Sequence, residues 1–71
     1  MERNKFESKM LKAKVLQGLT DLPDYWTGYM RGLRRVYYGE KFGTEEEHLR
    51  FSDAIHSELG RGYTDGLKEG K

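Results

Sequence analysis

The sequence predicts an all-α fold, a small compact bundle of three main helices followed by a short C-terminal helix or docked tail. Apolar residues recur at helical spacing in three stretches, and an N-cap residue followed three positions later by Glu precedes two of them. No stretch alternates apolar and polar residues as a half-buried strand does. The 71 residues make a single helical domain, 1–71, and we expect residues 1–3 and 69–71 to fray.

The first helix is predicted to begin at a capping box formed by Asn4 and Glu7. Gly18 is expected to mark its end. One face carries the apolar residues at helical spacing, which are Phe6, Met10, Ala13 and Leu16. This face should enter the core.

The second helix is predicted to begin near Pro23, because proline is well accommodated in the first turn of a helix. Gly39 can supply the left-handed residue that ends it. Seven apolar residues fall within an arc of about 140° on its helical wheel. They are Tyr25, Trp26, Tyr29, Met30, Leu33, Val36 and Tyr37. This wide stripe predicts the main core-facing helix.

The third helix is predicted to begin at a second capping box, formed by Thr44 and Glu47, and to end at Gly60. Its inner face should carry Phe51, Ile55 and Leu59. Residues 61–71 have only two apolar anchors, Tyr63 and Leu67. They therefore predict a fourth short helix or a docked tail.

The glycines of the second helix need an explanation, because each costs about 1 kcal/mol relative to alanine inside a helix. Gly28, Gly32 and Gly39 lie on one strip of the wheel, which lets another backbone or a flat ligand approach closely. The motif GYxxGL occurs at 28–33 and again at 62–67. Two interpretations stay open: helix packing within the chain or a homodimer, and contact with an external partner.

An arginine- and tyrosine-rich cluster on the second helix is the candidate partner-binding surface, since both residue types are enriched at interface hot spots. Its members are Arg31, Arg34, Arg35, Tyr37, Tyr38 and Lys41. Arginine also binds phosphate and tyrosine stacks on bases, so RNA or single-stranded DNA is a competing partner. The alternative is a solvated helix face whose arginines pair with nearby carboxylates.

Composition limits the remaining classes of function. Thirteen Lys and Arg against 12 Asp and Glu give no global attraction to nucleic acid or lipid. There is no cysteine, no signal peptide and no membrane span, which favours a reducing cytoplasm. His48 is interpreted as a hydrogen-bonded core residue, and His56 is too far along the helix for a metal pair. We predict no metal, no cofactor and no enzymatic activity.

Three segments carry a resemblance to a group of proteins: 25–35 (YWTGYMRGLRR), 38–44 (YGEKFGT) and 61–67 (RGYTDGL). The pattern resembles small accessory proteins encoded by phages and prophages, among which anti-CRISPR and other anti-defence inhibitors are prominent. The resemblance implies stoichiometric binding to a defence complex, such as a Cas effector ribonucleoprotein, in the cytoplasm of a bacterial host. The alternatives are a small nucleic-acid-binding module and a structural protein that forms a homo-oligomer such as a homodimer.

Overall fold

The computed structural model describes residues 2–39, 46, 48–50 and 57–70. Within this part of the chain the helices are α1 (Arg3–Leu19), α2 (Pro23–Tyr38) and α3 (Glu58–Glu69). Residues 46 and 48–50 are helical as well, and no described residue lies in a strand. The predicted fold class, a small all-α bundle, is confirmed.

α1 begins two residues earlier than the capping box predicts. Its N-cap is Glu2, and no side chain caps the helix. Asn4 lies inside the first turn, where its side chain cannot cap the helix. Glu7 instead accepts from the Arg3 guanidinium, with 2.9 Å between Nε and Oε1. The capping box of Asn4 and Glu7 is therefore wrong, and α1 includes Gly18 and continues to Leu19.

α1 and α2 form an antiparallel helical hairpin joined by residues 20–22. At one end the rings of Phe6 and Tyr37 stack, with centroids 4.1 Å apart and planes 8° from parallel. At the other end the Gln17 amide donates to the Thr27 hydroxyl at 2.5 Å. Thr20 fixes the turn, because its hydroxyl donates to the Leu16 carbonyl at 2.8 Å and accepts from the Trp26 indole at 3.1 Å.

α2 begins at Pro23, and Gly39 follows it with φ of 79° and ψ of −165°. This positive φ favours glycine, but the ψ is not that of the left-handed cap predicted from the sequence. Met30 and Leu33, two members of the predicted apolar stripe, are buried. The other five members of the stripe are half-buried. Gly28 and Gly32 are also buried. α2 thus buries two neighbouring faces, one against α1 and one against α3.

The predicted helix end at Gly60 is wrong, because Gly60 lies in the first turn of α3. Ser57 caps this helix by accepting from the Gly60 amide at 3.0 Å. Leu59 accordingly belongs to α3 rather than to the end of a preceding helix. Of the two alternatives for the C-terminal segment, the helix is the one observed. It reaches Glu69, and α1 includes Arg3, although both positions fall within the ends that we expected to fray.

Several predictions concern residues outside the described part of the chain. They are the capping box of Thr44 and Glu47, the inner-face positions Phe51 and Ile55, and the partner-binding residue Lys41.

The two GYxxGL motifs pack directly against each other. A Cβ atom on Gly28 would lie 2.9 Å from the amide nitrogen of Tyr63 and closer still to the Leu59 carbonyl oxygen. In the reciprocal position, a Cβ on Gly62 would lie 2.9 Å from the amide nitrogen of Tyr29 and closer still to the Tyr25 carbonyl oxygen. Gly32 and Gly66 repeat this relation one turn further along. Only glycine permits backbones to approach this closely.

These contacts relate α2 and α3 by an approximate two-fold axis. Gly28 meets Leu59 and Tyr63, whereas Gly32, one turn later, meets Tyr63 and Leu67. Contacts that advance together along both helices mean that α2 and α3 run in the same direction. Each contact of α2 on α3 has a counterpart 34 residues away. The internal motif is therefore explained by packing within the chain.

The buried apolar core of the described residues is small and consists of Phe6, Ala13, Met30, Leu33 and Tyr63. The molecule is also thin, with principal extents of 29 × 28 × 16 Å. None of the helices in the described ranges combines the length and apolar character of a membrane span. Because few apolar side chains are buried, the backbone contact at the glycines of α2 and α3 is a large part of the packing.

Candidate functional site

The outward face of α1 exposes three large apolar residues in a row. Leu11 is 65% exposed, Val15 is 51% exposed and Leu19 is 77% exposed. Their spacing of four residues places them along one side of the helix, opposite buried Phe6 and Ala13. We call this row the α1 ridge. Contiguous exposed apolar side chains of this kind mark interaction surfaces more often than isolated ones do.

The α1 ridge is bordered by positive charge. Lys12 lies beside it on one side and Lys14 on the other, by helical geometry. Neither lysine forms an ion pair with any residue in the described ranges. Over residues 2–19 the chain carries five basic and two acidic residues. The α1 ridge and its lysines are therefore complementary to a partner surface that is apolar and edged by carboxylates.

Gly18 lies beside the α1 ridge and is not explained by packing within the chain. A Cβ atom at this position would meet nothing within 4 Å. Gly28 and Gly62, in contrast, are required by backbone contacts between helices. The open position at Gly18 leaves room for the backbone of a partner helix to approach α1.

The predicted arginine and tyrosine cluster is more enclosed than a free helix face. Arg31, Arg34 and Arg35 are half-buried. Arg31 and Arg35 each already engage a partner within the molecule, as does Tyr38. The cluster is therefore not a fully open surface in the described part of the chain.

Tyr37 and Tyr38 belong to an aromatic cluster that joins α1 to α2. Tyr37 stacks on Phe6 at 4.1 Å, and Tyr38 meets the edge of Phe6 at 5.7 Å. These tyrosines therefore contact α1, although the sequence grouped them with the arginines of α2. Tyr38 remains 55% exposed and is the cluster member most accessible to a partner.

The predicted glycine strip divides into two parts. Gly28 and Gly32 contact α3 and are unavailable to an external partner or to a second copy of the chain. Gly39 does not share this contact, since no described residue lies within 4 Å of the place where its Cβ would be. Its positive φ explains the glycine there instead.

A cleft of about 870 Å³ separates α1 from α3, with α2 as its floor. Half of its twelve lining residues come from α1, three from α2 and three from α3. They are Lys5, Ser8, Lys9, Lys12, Ala13, Leu16, Tyr25, Trp26, Tyr29, Asp65, Lys68 and Glu69. The cleft thus combines a lysine-rich α1 wall, an α3 wall of mixed charge and an aromatic floor.

One polar contact crosses this cleft, and a second joins its floor to the α3 wall. Lys9 pairs with Glu69 at 2.9 Å, and that hydrogen bond raises the lysine pKa. The Tyr25 hydroxyl donates to the Asp65 carboxylate. Burial, and then the hydrogen bond to Asp65, raise the pKa of Tyr25 to about 12. Burial, and then the charge of Glu69, raise the pKa of Tyr29.

His48 is hydrogen-bonded, as the sequence indicates, with 2.5 Å between its Nδ1 and the Tyr63 hydroxyl. This contact ties the helical residues 48–50 to α3. His56, which the sequence places too far along the chain to form a metal pair with His48, lies outside the described residues. In the described ranges, no three His, Cys, Asp or Glu side chains lie together as metal ligands.

Sequence reasoning missed both the α1 ridge and the cleft. It followed one apolar face of α1, through Phe6 and Ala13, and did not consider Leu11, Val15 and Leu19 on the opposite face. The signal was available, because a four-residue spacing of large apolar side chains is readable on a helical wheel. The cleft had no local signal, since its walls come from helices far apart in sequence.

No family model, no curated protein and no solved structure matches the chain. The resemblance to phage accessory proteins accordingly stays a prediction from the sequence.

Proposed function

We propose that the chain is a non-catalytic binding domain that presents the α1 ridge to an acidic protein surface. The observation that carries this proposal is the exposure of Leu11, Val15 and Leu19 on a helix whose other face is already buried. Burying such a side chain contributes about 1.5–3 kcal/mol, so the three supply part of the free energy of association.

The lysines beside the α1 ridge indicate which kind of partner surface it can bind. Lys12 and Lys14 border the ridge, so a second copy of α1 would bring lysines towards lysines. Like charges at an interface oppose association, whereas carboxylates around an apolar groove favour it. The partner is therefore a protein with an apolar groove edged by Asp and Glu.

The narrower proposal follows from the sequence resemblance and concerns the identity of the partner. A small phage-encoded inhibitor of a bacterial defence complex, such as a Cas effector, would act by stoichiometric binding of this kind. Its inhibition would come from occupying a surface of the complex and needs no catalytic residue.

Site-directed photo-crosslinking locates the contact. A photoreactive phenylalanine analogue at position 15 should crosslink to the partner in a bacterial host lysate treated with nuclease. The same analogue at position 24, an exposed site on α2, is the matched control and should not. Crosslinking from position 24 alone would contradict the assignment of the interface to α1.

Paired substitutions then separate the two candidate surfaces. Leu11→Gln with Leu19→Gln should weaken binding about a hundredfold or more, because two buried anchors are lost. The helical circular dichroism signal should persist, since both side chains are exposed. Arg31→Glu with Arg35→Glu, which tests the arginine cluster, should have the smaller effect on binding. The reverse ranking would move the interface to that cluster.

A further inference from the structure

The cleft between α1 and α3 holds more positive than negative charge. Four lysines line it against two carboxylates, Asp65 and Glu69. Glu69 is already paired with Lys9, and Asp65 accepts from Tyr25. The other three lysines, Lys5, Lys12 and Lys68, form no ion pair with any residue in the described ranges. The cleft therefore offers positive charge to an anion.

A hydroxyl group on the floor adds a neutral donor. Tyr29 makes no hydrogen bond within the part of the chain that the structure describes, whereas neighbouring Tyr25 is fully engaged with Asp65. No buried side-chain nitrogen or oxygen atom in the described part lacks a partner, so the Tyr29 hydroxyl is open to solvent. A tyrosine hydroxyl is protonated at neutral pH and able to donate, and the upward shift of the Tyr29 pKa does not change this.

The floor is aromatic. Trp26 meets Tyr25 edge-on at 4.9 Å and Tyr29 at 5.3 Å, and all three rings are half-buried. Such rings offer apolar area to a planar base, while lysines bind phosphate as point charges. The volume of about 870 Å³ also lies in the usual range of small-molecule sites.

We propose that this cleft binds the phosphate group of a nucleotide, either free or within a single-stranded nucleic acid. Lys5 and Lys68, on opposite walls, hold the phosphate, and the aromatic floor contacts the base. Lys12 borders both the cleft and the α1 ridge, but Lys5 and Lys68 are not members of the ridge. The test of this proposal therefore uses Lys5 and Lys68, and its failure is distinguishable from failure of the protein-binding function.

An NMR titration of the whole chain tests the site. The probes are AMP, inorganic phosphate and a short oligouridylate, and the reporter is the indole signal of Trp26, the only tryptophan. AMP or the oligouridylate should shift the signals of Trp26 and Tyr29 saturably. Tight binding of AMP would identify a free nucleotide. Binding of the oligouridylate alone, with a steep loss of affinity in salt, would identify a single strand.

Variants distinguish the site from general charge attraction. Lys5→Gln with Lys68→Gln should weaken binding about tenfold or more, as two charge-assisted contacts are lost. Lys14→Gln, a lysine on α1 outside the cleft, is the matched control and should leave affinity unchanged. Three results would overturn the proposal: equal weakening by Lys14→Gln, no saturable shift with AMP or the oligouridylate, or shifts confined to residues outside the cleft.

Discussion

At the scale of single residues, the stability of the fold depends on the glycines at the contact between α2 and α3. Gly62→Ala would place a methyl group against the backbone of α2, which cannot move without separating the helices. We expect this change to lower the free energy of unfolding by about 1–3 kcal/mol or more. Urea unfolding followed by circular dichroism measures it.

Gly18→Ala is the matched control for that substitution. Both positions are helical glycines, but the space around Gly18 is empty. Alanine there should raise the free energy of unfolding by about 0.5–1 kcal/mol, because it restricts the unfolded chain without a clash. Equal destabilisation by both substitutions would show that the glycine contact is not what determines stability.

At the scale of elements, Tyr25 joins α2 to α3 through its hydrogen bond to Asp65. Burial of Tyr25, and then this hydrogen bond, make the association of the two helices sensitive to alkali. An unfolded tyrosine titrates near pH 10, whereas folding raises the pKa of Tyr25 to about 12. The unfolded state therefore loses this proton first as pH rises. The stabilising contribution is complete below pH 10 and falls as the pH rises towards the folded-state value.

Tyr25→Phe removes that titration, so its free energy of unfolding should fall less steeply with pH above about pH 10 than that of the wild type. Denaturant unfolding over a series of alkaline pH values gives the two slopes. Tyr38→Phe, a change at an exposed ring on the same helix, serves as the control. Parallel slopes for wild type and Tyr25→Phe would contradict the assigned role of Tyr25.

The two ends of α2 could be predicted from the sequence, whereas the starts of α1 and α3 could not. Pro23 and Gly39 bound α2 through their own backbone preferences, which are visible in the sequence. Gly60 looks like a helix end, yet capping by Ser57 places it in the first turn of α3. A glycine that serves close packing has the same sequence signature as one that ends a helix.

The candidate sites also differ in how far the sequence alone could predict them. The arginine cluster is conspicuous in sequence, but its exposure depends on which neighbours fold onto it, and the structure leaves Arg31, Arg34 and Arg35 half-buried. The α1 ridge was readable in principle, because it needs only the spacing of Leu11, Val15 and Leu19. The cleft could not be read, because it exists only after α3 packs beside α2.

At the scale of the whole molecule, α2 and α3 form the more stable unit and α1 the more weakly held one. Direct backbone contact at four glycines excludes water between α2 and α3. α1 buries only Phe6 and Ala13 of its own residues. We therefore expect α1 to open without global unfolding, in a sub-global step of lower free energy.

Hydrogen exchange followed by NMR measures this difference. Backbone amides of residues 28–33 and 62–67 should exchange most slowly, and those of α1 should exchange sooner. Gly62→Ala should accelerate exchange in α2 and α3 together, since each supports the other. Protection of α1 equal to that of α2 would show instead that the three helices unfold as one unit.

The approximate two-fold relation between α2 and α3 has a consequence for how this gene can change over time. Gly28, Gly32, Gly62 and Gly66 are positions where even one added carbon is excluded, and each has an equivalent 34 residues away. Mutational drift can alter most surface codons but must spare these four together. Distant descendants of the gene should therefore be traceable by the intervals between glycines after other sequence similarity has been lost.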